Sequence, residues 1–269
     1  MMEKYSDEHI LYLRELKRKN IAINLIRISL LVAIIILWQI AADMKWINSV
    51  ITSSPKEIIL TIHSLISDKT LFRHIGYTLF ETLTGFSLAT LFGIILGSAL
   101  WAFPVASRVM DPYLVVLNAL PKVALGPLII VWAGAGMEAI IIMTLSISLI
   151  STVISVYSGL RSVNEETILL MRSFGANQLQ MLKYALLPAS CQSIIGALKI
   201  NVSLSWVGVI MGEFLVSKAG IGYLIMYGSQ VFNLDLVMAG IIILCILAGG
   251  MYLMVSLFEG WTKKKGWTV

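Results

Sequence analysis

The sequence predicts an all-α membrane protein of about six transmembrane helices, with both termini on the inner side. Three observations predict it. Of 269 residues, 58% are hydrophobic and only 13% are charged, and the mean hydropathy is +0.88. The apolar residues gather into runs of about 20, the length that crosses roughly 30 Å of hydrocarbon. Lysine and arginine are shared unevenly among the connecting segments, which sets an orientation.

The runs are 25–42, 79–103, 113–132, 139–157, 194–216 and 236–258. Polar residues precede the first run and no small-residue cleavage site follows it, so it reads as a span and not as a cleaved signal peptide. With the N-terminus inside, the inner segments hold Lys4, Arg14, Lys17, Arg18, Lys19, Arg108, Arg161, Arg172, Lys183, Lys263, Lys264 and Lys265. The outer segments hold Lys45, Lys56, Lys69, Arg73 and Lys218. Twelve against five favours both termini inside. The net charge of +5 is then mostly a mark of the inner face and calls for no nucleic acid.

Residues 1–20 are charged and helix-prone, with Ile10, Leu11, Leu13 and Leu16 close to one face. They read as an amphipathic helix on the inner membrane surface. Residues 21–269 then form a single transmembrane domain, with no hydrophilic block long enough for a second, soluble one. In the outer segment, Ser53-Ser54-Pro55 opens a helix, since serine caps well and proline suits a first turn. Ile58, Ile59, Ile62, Leu65 and Ile66 give that helix an apolar stripe along the outer face.

The second run carries Gly85, Ala89, Gly93 and Gly97 at intervals of four, and the fifth carries Gly208 and Gly212. Small residues on one face let another helix approach closely. They suit packing within the chain or a seam between two copies. The third run contains Pro121 and Pro127. Proline removes a backbone donor, and the freed carbonyls need neighbours or a watery cavity, so a broken helix points toward a translocation path.

Between the fourth and fifth runs lies a polar interruption, 159–190, reading GLRSVNEETILLMRSFGANQLQMLKYALLPAS. Helical stretches meet at Phe174-Gly175-Ala176, and Pro188 closes the segment. Glycine at 175 suits a helix end that needs positive φ. The orientation puts this hairpin inside the cell, where a structured surface element implies contact with a partner.

Several chemistries are missing from the pattern. No G-x-x-x-x-G-K-[ST] phosphate loop occurs, nor H-x-x-x-H, nor C-x-x-C. Cys191 and Cys245 are far apart, and His9, His63 and His74 are scattered in polar segments. The chain reads as a non-enzyme without a cofactor or metal of its own. Energy for uphill transport has to come from an ion gradient or from another chain.

Glu81, Lys122, Lys199 and Glu213 are ionisable residues that fall in or at the ends of runs. Intramembrane charges are costly and raise a functional question by default. Lys122 lies nine residues into the third run, about 13 Å deep at 1.5 Å per residue. It is a candidate for balancing an anionic substrate, or for a buried structural ion pair. Glu81 sits near the outer end of its run and reaches water. Lys199 and Glu213 sit near opposite ends of the fifth run, about 21 Å apart, where both can snorkel. Lys199, Ser203, Trp206, Ile210 and Glu213 are spaced 4, 3, 4 and 3, a stripe that reads as lining the path.

These residues resemble a known family. Ser-Ser-Pro stands before an outer helix, then D-P-Y at 111–113 and LPKVALGPLIIVWAGAG at 120–136. GLRSVNEETILLMRSFGA at 159–176, Leu-Pro at 187–188 and WVGVIMGEFLVSKAGIGYLI at 206–225 follow. Together they resemble the permease subunit of ATP-binding-cassette (ABC) importers of the nitrate/sulfonate/taurine/bicarbonate type, from Pro55 to the last span. The resemblance implies a type I importer permease fold in a bacterial inner membrane. It implies a homodimer, two copies of an ATPase subunit that bind ATP and magnesium, and an extracytoplasmic substrate-binding protein. It implies a small cargo: an anion such as a sulfonate, nitrate or taurine, or a small heterocycle.

The resemblance also implies that the hairpin docks in a cleft of the ATPase, through Glu166, Leu169, Met171, Arg172, Ser173, Phe174, Gly175 and Ala176. Gly175 matches the family's signature glycine, Arg172-Ser173 the pair before it, and Pro188 the downstream proline. Glu213 matches a family glutamate, and Gly220 and Gly222 the Gly-x-Gly after it. Two positions depart. Leu169-Leu170-Met171 stands where Glu-Ala-Ala is expected, so an apolar grip by Leu169 and Met171 is anticipated. Glu81 stands where arginine is usual. Two rival classes remain: a carrier driven by an ion gradient, which would show inverted repeats and several deep charges, and a non-transporting scaffold, which would not need the polar stripe.

Overall fold

Apolar runs become long helices wherever no proline or turn interrupts them, and among the described residues five helices are long and apolar enough to cross a membrane. The structure is a computed structural model and describes residues 7–264. Its main helices are α1 (Asp7–Asp43), α2 (Pro55–Ser67), α3 (Thr70–Ala102), α4 (Pro104–Ala119), α5 (Gly126–Ala133) and α6 (Met137–Arg161). They continue as α7 (Glu165–Ser173), α8 (Cys191–Val216), α9 (Ile221–Gln230) and α10 (Leu234–Lys264). No strand occurs among the described residues.

α1 runs unbroken past residue 20 into the first span. Of the surface helix expected over 1–20, residues 1–6 lie outside the described residues, and from Asp7 on the polar stretch is continuous with the first apolar helix. Lys4 and Lys265 lie outside the described residues. α2 forms as expected. The Ser54 hydroxyl accepts from the Glu57 N–H at 3.3 Å, Pro55 fills the first turn, and Ile58 is buried. Ser53 donates to Asp235 Oδ1 at 2.6 Å, which ties this outer segment to the start of α10.

The centre of the bundle is α6, packed between α3 and α8. The small residues make this possible. A Cβ on Gly85 would come within 2.5 Å of Thr144 Cγ2, and one on Gly93 within 2.5 Å of Thr152 Cγ2. One on Gly208 would come within 2.6 Å of the Thr144 Cα. Both stripes thus serve packing within the chain. The α6 hydroxyls bond backward along their own helix, Thr144 to the Ile140 carbonyl at 2.8 Å and Thr152 to the Ser148 carbonyl at 2.8 Å. That satisfies them in an apolar layer.

The third span departs from a straight helix over 113–132. α4 starts at Pro104, a first-turn proline, and Pro112 is carried inside it. Leu120 is extended (ψ 133°), as a residue before proline tends to be, and that stops the helix. A single 3-10 turn, Lys122–Leu125, leads into α5 with Pro127 in its first turn. The two halves bend by 84°.

Candidate functional site

The hairpin between α6 and α8 is built from local capping. The Asn164 side chain accepts from the Glu166 N–H at 3.1 Å, and Glu165 and Glu166 occupy the first turn of α7, where acidic groups meet the positive end of the helix dipole. The other end closes on Gly175 (φ +72°). The Ala176 N–H donates to the Met171 carbonyl at 3.0 Å and the Gly175 N–H to the Arg172 carbonyl at 2.9 Å, the paired bonds of a Schellman turn. Asn177 and Gln180 then cap a short helix, Gln178–Met181, reciprocally at 2.8 and 2.9 Å. A π turn, Leu182–Leu186, and Pro188 carry the chain into α8.

The hairpin has two faces. Ile168, Met171 and Ala176 turn inward and pack on a core of Val156, Leu160, Met181 and Leu186. Leu169, Leu170 and Phe174 turn outward and are 62%, 56% and 78% exposed. Glu166, Arg172, Ser173 and Gly175 are also exposed. The expectation for Met171 is corrected. It lies three residues after Ile168, on the same inward face, so the outward apolar surface is Leu169, Leu170 and Phe174.

The outer end of the bundle holds a different construction. Glu213, 1% exposed, accepts from Thr78 Oγ1 at 2.7 Å, from the Gly222 N–H at 2.5 Å and from the Tyr223 N–H at 3.3 Å. Its carboxylate therefore caps the N-terminus of α9 from a different helix. Thr78 Oγ1 also accepts from the Ile221 N–H at 2.8 Å, and His74 Nδ1 from the Gly220 N–H at 3.0 Å. Gly220 has φ +117°, and a Cβ there would strike the Glu213 carboxyl. A Cβ on Gly222 would come within 2.8 Å of Glu213 Oε2. The glutamate and the Gly-x-Gly after it form one capping unit.

Glu81 belongs to this buried layer and also lines the cavity at the outer end of the bundle. α3 begins at Thr70, well before 79, so Glu81 lies further along the helix than the apolar run implied. It is 2% exposed, its carboxyl lies beside that of Glu213, and Oε2 has no hydrogen-bond partner. Arg73, Tyr77 and Lys218 line the same cavity, of about 220 Å³.

The stripe on α8 does not present one continuous surface. Trp206 is buried among Val202, Met251, Leu79 and Phe86. Lys199 bonds Glu259 of α10 at 2.5 Å and lies over the Tyr252 ring at 5.6 Å. Ile210 is half-buried and Ser203 is exposed. Lys122 stands at the break between α4 and α5, half-buried, and donates to Asn118 Oδ1 at 3.2 Å. Its depth of about 13 Å no longer follows, because the rise of a straight helix does not hold across an 84° bend. The capping unit was missed in the sequence, where the Glu213 stripe was read on one helix while its partners arrive on another.

A bundle of long apolar helices centred on α6, with a broken span beside it and a self-capped hairpin on the inner side, is an architecture suited to a membrane permease. The family model for the binding-protein-dependent transport system inner membrane component matches residues 89–264, about two-thirds of the chain, and the chain belongs to that family. It is 29% identical to a probable ABC transporter permease protein of Haemophilus influenzae, covering 87% of this chain and 95% of that one. It is 24% identical to the taurine transport system permease protein TauC of Escherichia coli, covering 82% of each. It is 28% identical to the riboflavin transport system permease protein RibX of Chloroflexus aurantiacus, covering 85% of each. A bacterial ABC transporter that imports alginate shares the fold at a TM-score of 0.63 with 14% identity, covering 91% of this chain and 98% of that one. The MetNI methionine ABC transporter aligns at 0.60 with 19% identity, covering 68% of this chain and 94% of that one. The chain is thus a permease subunit of an ABC importer, a multi-pass membrane protein of a family that works with an ATPase and a binding protein.

Proposed function

We propose that two copies of this chain form the path of an importer for a small solute, delivered from outside by a binding protein and driven by two ATPase subunits inside. The setting is a bacterial cytoplasmic membrane. The cargo class is a small anion such as a sulfonate, nitrate or taurine, or a small heterocycle, in keeping with relatives named for taurine and riboflavin. ATP and magnesium are handled by the ATPase, and this chain contributes no catalytic group.

The observation that carries the reading is the hairpin, fixed by its own caps and exposing Leu169, Leu170 and Phe174. A rigid element transmits displacement, and an apolar tip gives a motor subunit something to grip. Glu166, Arg172 and Ser173 flank that tip, and Gly175 sets its angle. Met171 and Ala176 seat it from behind. In the path itself, Lys122 at the helix break and Ser203 face the moving solute, while Lys199, Trp206 and Glu213 hold the helices that frame it.

Gly175→Val tests the coupling role. Nothing lies within 4 Å of a Cβ at that position, so the substitution acts first on the backbone. It does disfavour φ +72°, by about 1–2 kcal/mol, and so tilts the hairpin. The expected result is ATP hydrolysis without uptake, with the permease still assembled in the membrane. Full uptake by this variant would remove the hairpin from the coupling path.

A further inference from the structure

Two neighbouring cavities share Leu100 in their walls where α3 ends, α4 begins and α6 nears its inner end. The first, of about 330 Å³, is lined by Trp101, Pro104, Ser107, Arg108, Asp111, Tyr157 and Arg161, with Leu100 at its edge. The second, of about 280 Å³, is wholly apolar. Leu96, Phe103, Met110, Leu114 and Val153 line it, and Leu100 again forms part of its wall. α4 separates their character by helical periodicity. Positions 104, 107, 108 and 111 face the polar cavity, and 103, 106, 110 and 114 face the apolar one. Both α3 and α6 reach the inner face at Trp101 and Arg161, so the polar cavity lies at the inner interface and the apolar one deeper in the membrane.

The polar cavity is built for an anion. Arg108 makes no ion pair or hydrogen bond among the described residues. Arg161 lies 5.7 Å over the Tyr157 ring and donates to its hydroxyl at 3.5 Å, which aims the guanidinium without neutralising it. The Tyr157 hydroxyl also bonds Ser107. Pro104 and Ser107, in the first turn of α4, also line this space, so the positive end of that helix dipole lies beside it. Asp111 is the single acidic group in the lining and leaves one positive charge in excess. Trp101 suits the headgroup layer.

We propose that these two adjacent cavities together hold an anionic phospholipid of the inner leaflet. Its phosphate sits between Arg108, Arg161 and the start of α4, and one acyl chain lies in the slot walled by Leu96, Phe103, Met110 and Leu114. A bare phosphate would use only the first cavity, whereas a lipid uses both. The site adjoins the coupling hairpin, because Trp101 also packs on the core of Val156, Leu160, Met181 and Leu186 that seats it. Bound lipid therefore braces the base of the lever.

The test uses the full permease with its ATPase, in nanodiscs of phosphatidylcholine mixed with phosphatidylglycerol. Lipid retained after detergent washing is counted by native mass spectrometry. Phosphatidylglycerol is expected to be retained over phosphatidylcholine. Arg108→Gln with Arg161→Gln should lower its affinity about 30-fold, from about fivefold for each arginine. The matching pair of lysine substitutions should retain most of it. Ala106→Trp, which fills the slot and leaves both arginines, should also release the lipid, and millimolar inorganic phosphate should not. If the glutamine pair fails to assemble, the lysine pair and Ala106→Trp still decide. Equal retention of both lipids by the wild type overturns the proposal. So does release by inorganic phosphate, which assigns the site to a free anion. So does cross-linking of Met110→Cys to a second copy, which fills the slot with protein.

Discussion

The two ends of this molecule use the same backbone problem in opposite ways. At the outer end, the N-terminus of α9 is capped from a distance, by a Glu213 carboxylate that three donors hold in place. At the inner end, the hairpin caps itself with Asn164, Gly175 and Asn177, all within one short stretch. A remote cap welds helices together, so its members Glu213, Thr78, Gly220 and Gly222 are buried and structural. A local cap leaves the outer surface free of structural duty, so Leu169, Leu170 and Phe174 are available for a partner. The comparison separates residues whose loss unfolds the protein from residues whose loss silences it.

The largest effect on stability is expected from Gly220→Ala. It combines a strained φ of +117° with a collision against the Glu213 carboxyl, and should cost about 3 kcal/mol or more. Loss of the monodisperse peak in size-exclusion chromatography checks it. Next is Glu213→Gln, which keeps one acceptor and weakens the cap, at a cost of about 2 kcal/mol. A fall in the melting temperature of the purified permease is the readout. If Glu213→Gln melts like the wild type yet abolishes uptake, the glutamate belongs to the path after all and the comparison breaks.

The outer network was hidden from the sequence for a specific reason. Periodicity along α8 shows that Glu213 shares a stripe with Lys199 and Trp206, but not that Gly222 and Tyr223 return to it across a loop. A stripe of polar residues reads the same whether it faces water or the backbone of another helix. The third span was legible as broken from Pro121 and Pro127, although its start at Pro104 and its angle of 84° depend on packing. The long spans and the hairpin with its turn at Gly175 were legible because their signals are local. Met171 was assigned to the wrong side because a resemblance gives position in a motif and not direction on a helix.

Glu81→Gln sharpens the comparison in the other direction. It removes a buried carboxyl beside another and should stabilise the permease by about 1 kcal/mol, seen as a higher melting temperature. The smallest stability effect is expected at the hairpin. Phe174→Ala and Leu169→Asp change exposed side chains and should move stability by less than about 0.5 kcal/mol.

The most direct measurement is therefore uptake per ATP hydrolysed in proteoliposomes carrying the Leu169→Asp permease, its ATPase and the binding protein, with the melting temperature taken on the same sample. The account predicts an unchanged melting temperature and a fall in uptake per ATP of about tenfold, as expected when an apolar anchor is lost from an interface. Wild-type uptake per ATP from that variant would contradict it, and would mean that the apolar tip of the hairpin is not what the motor grips.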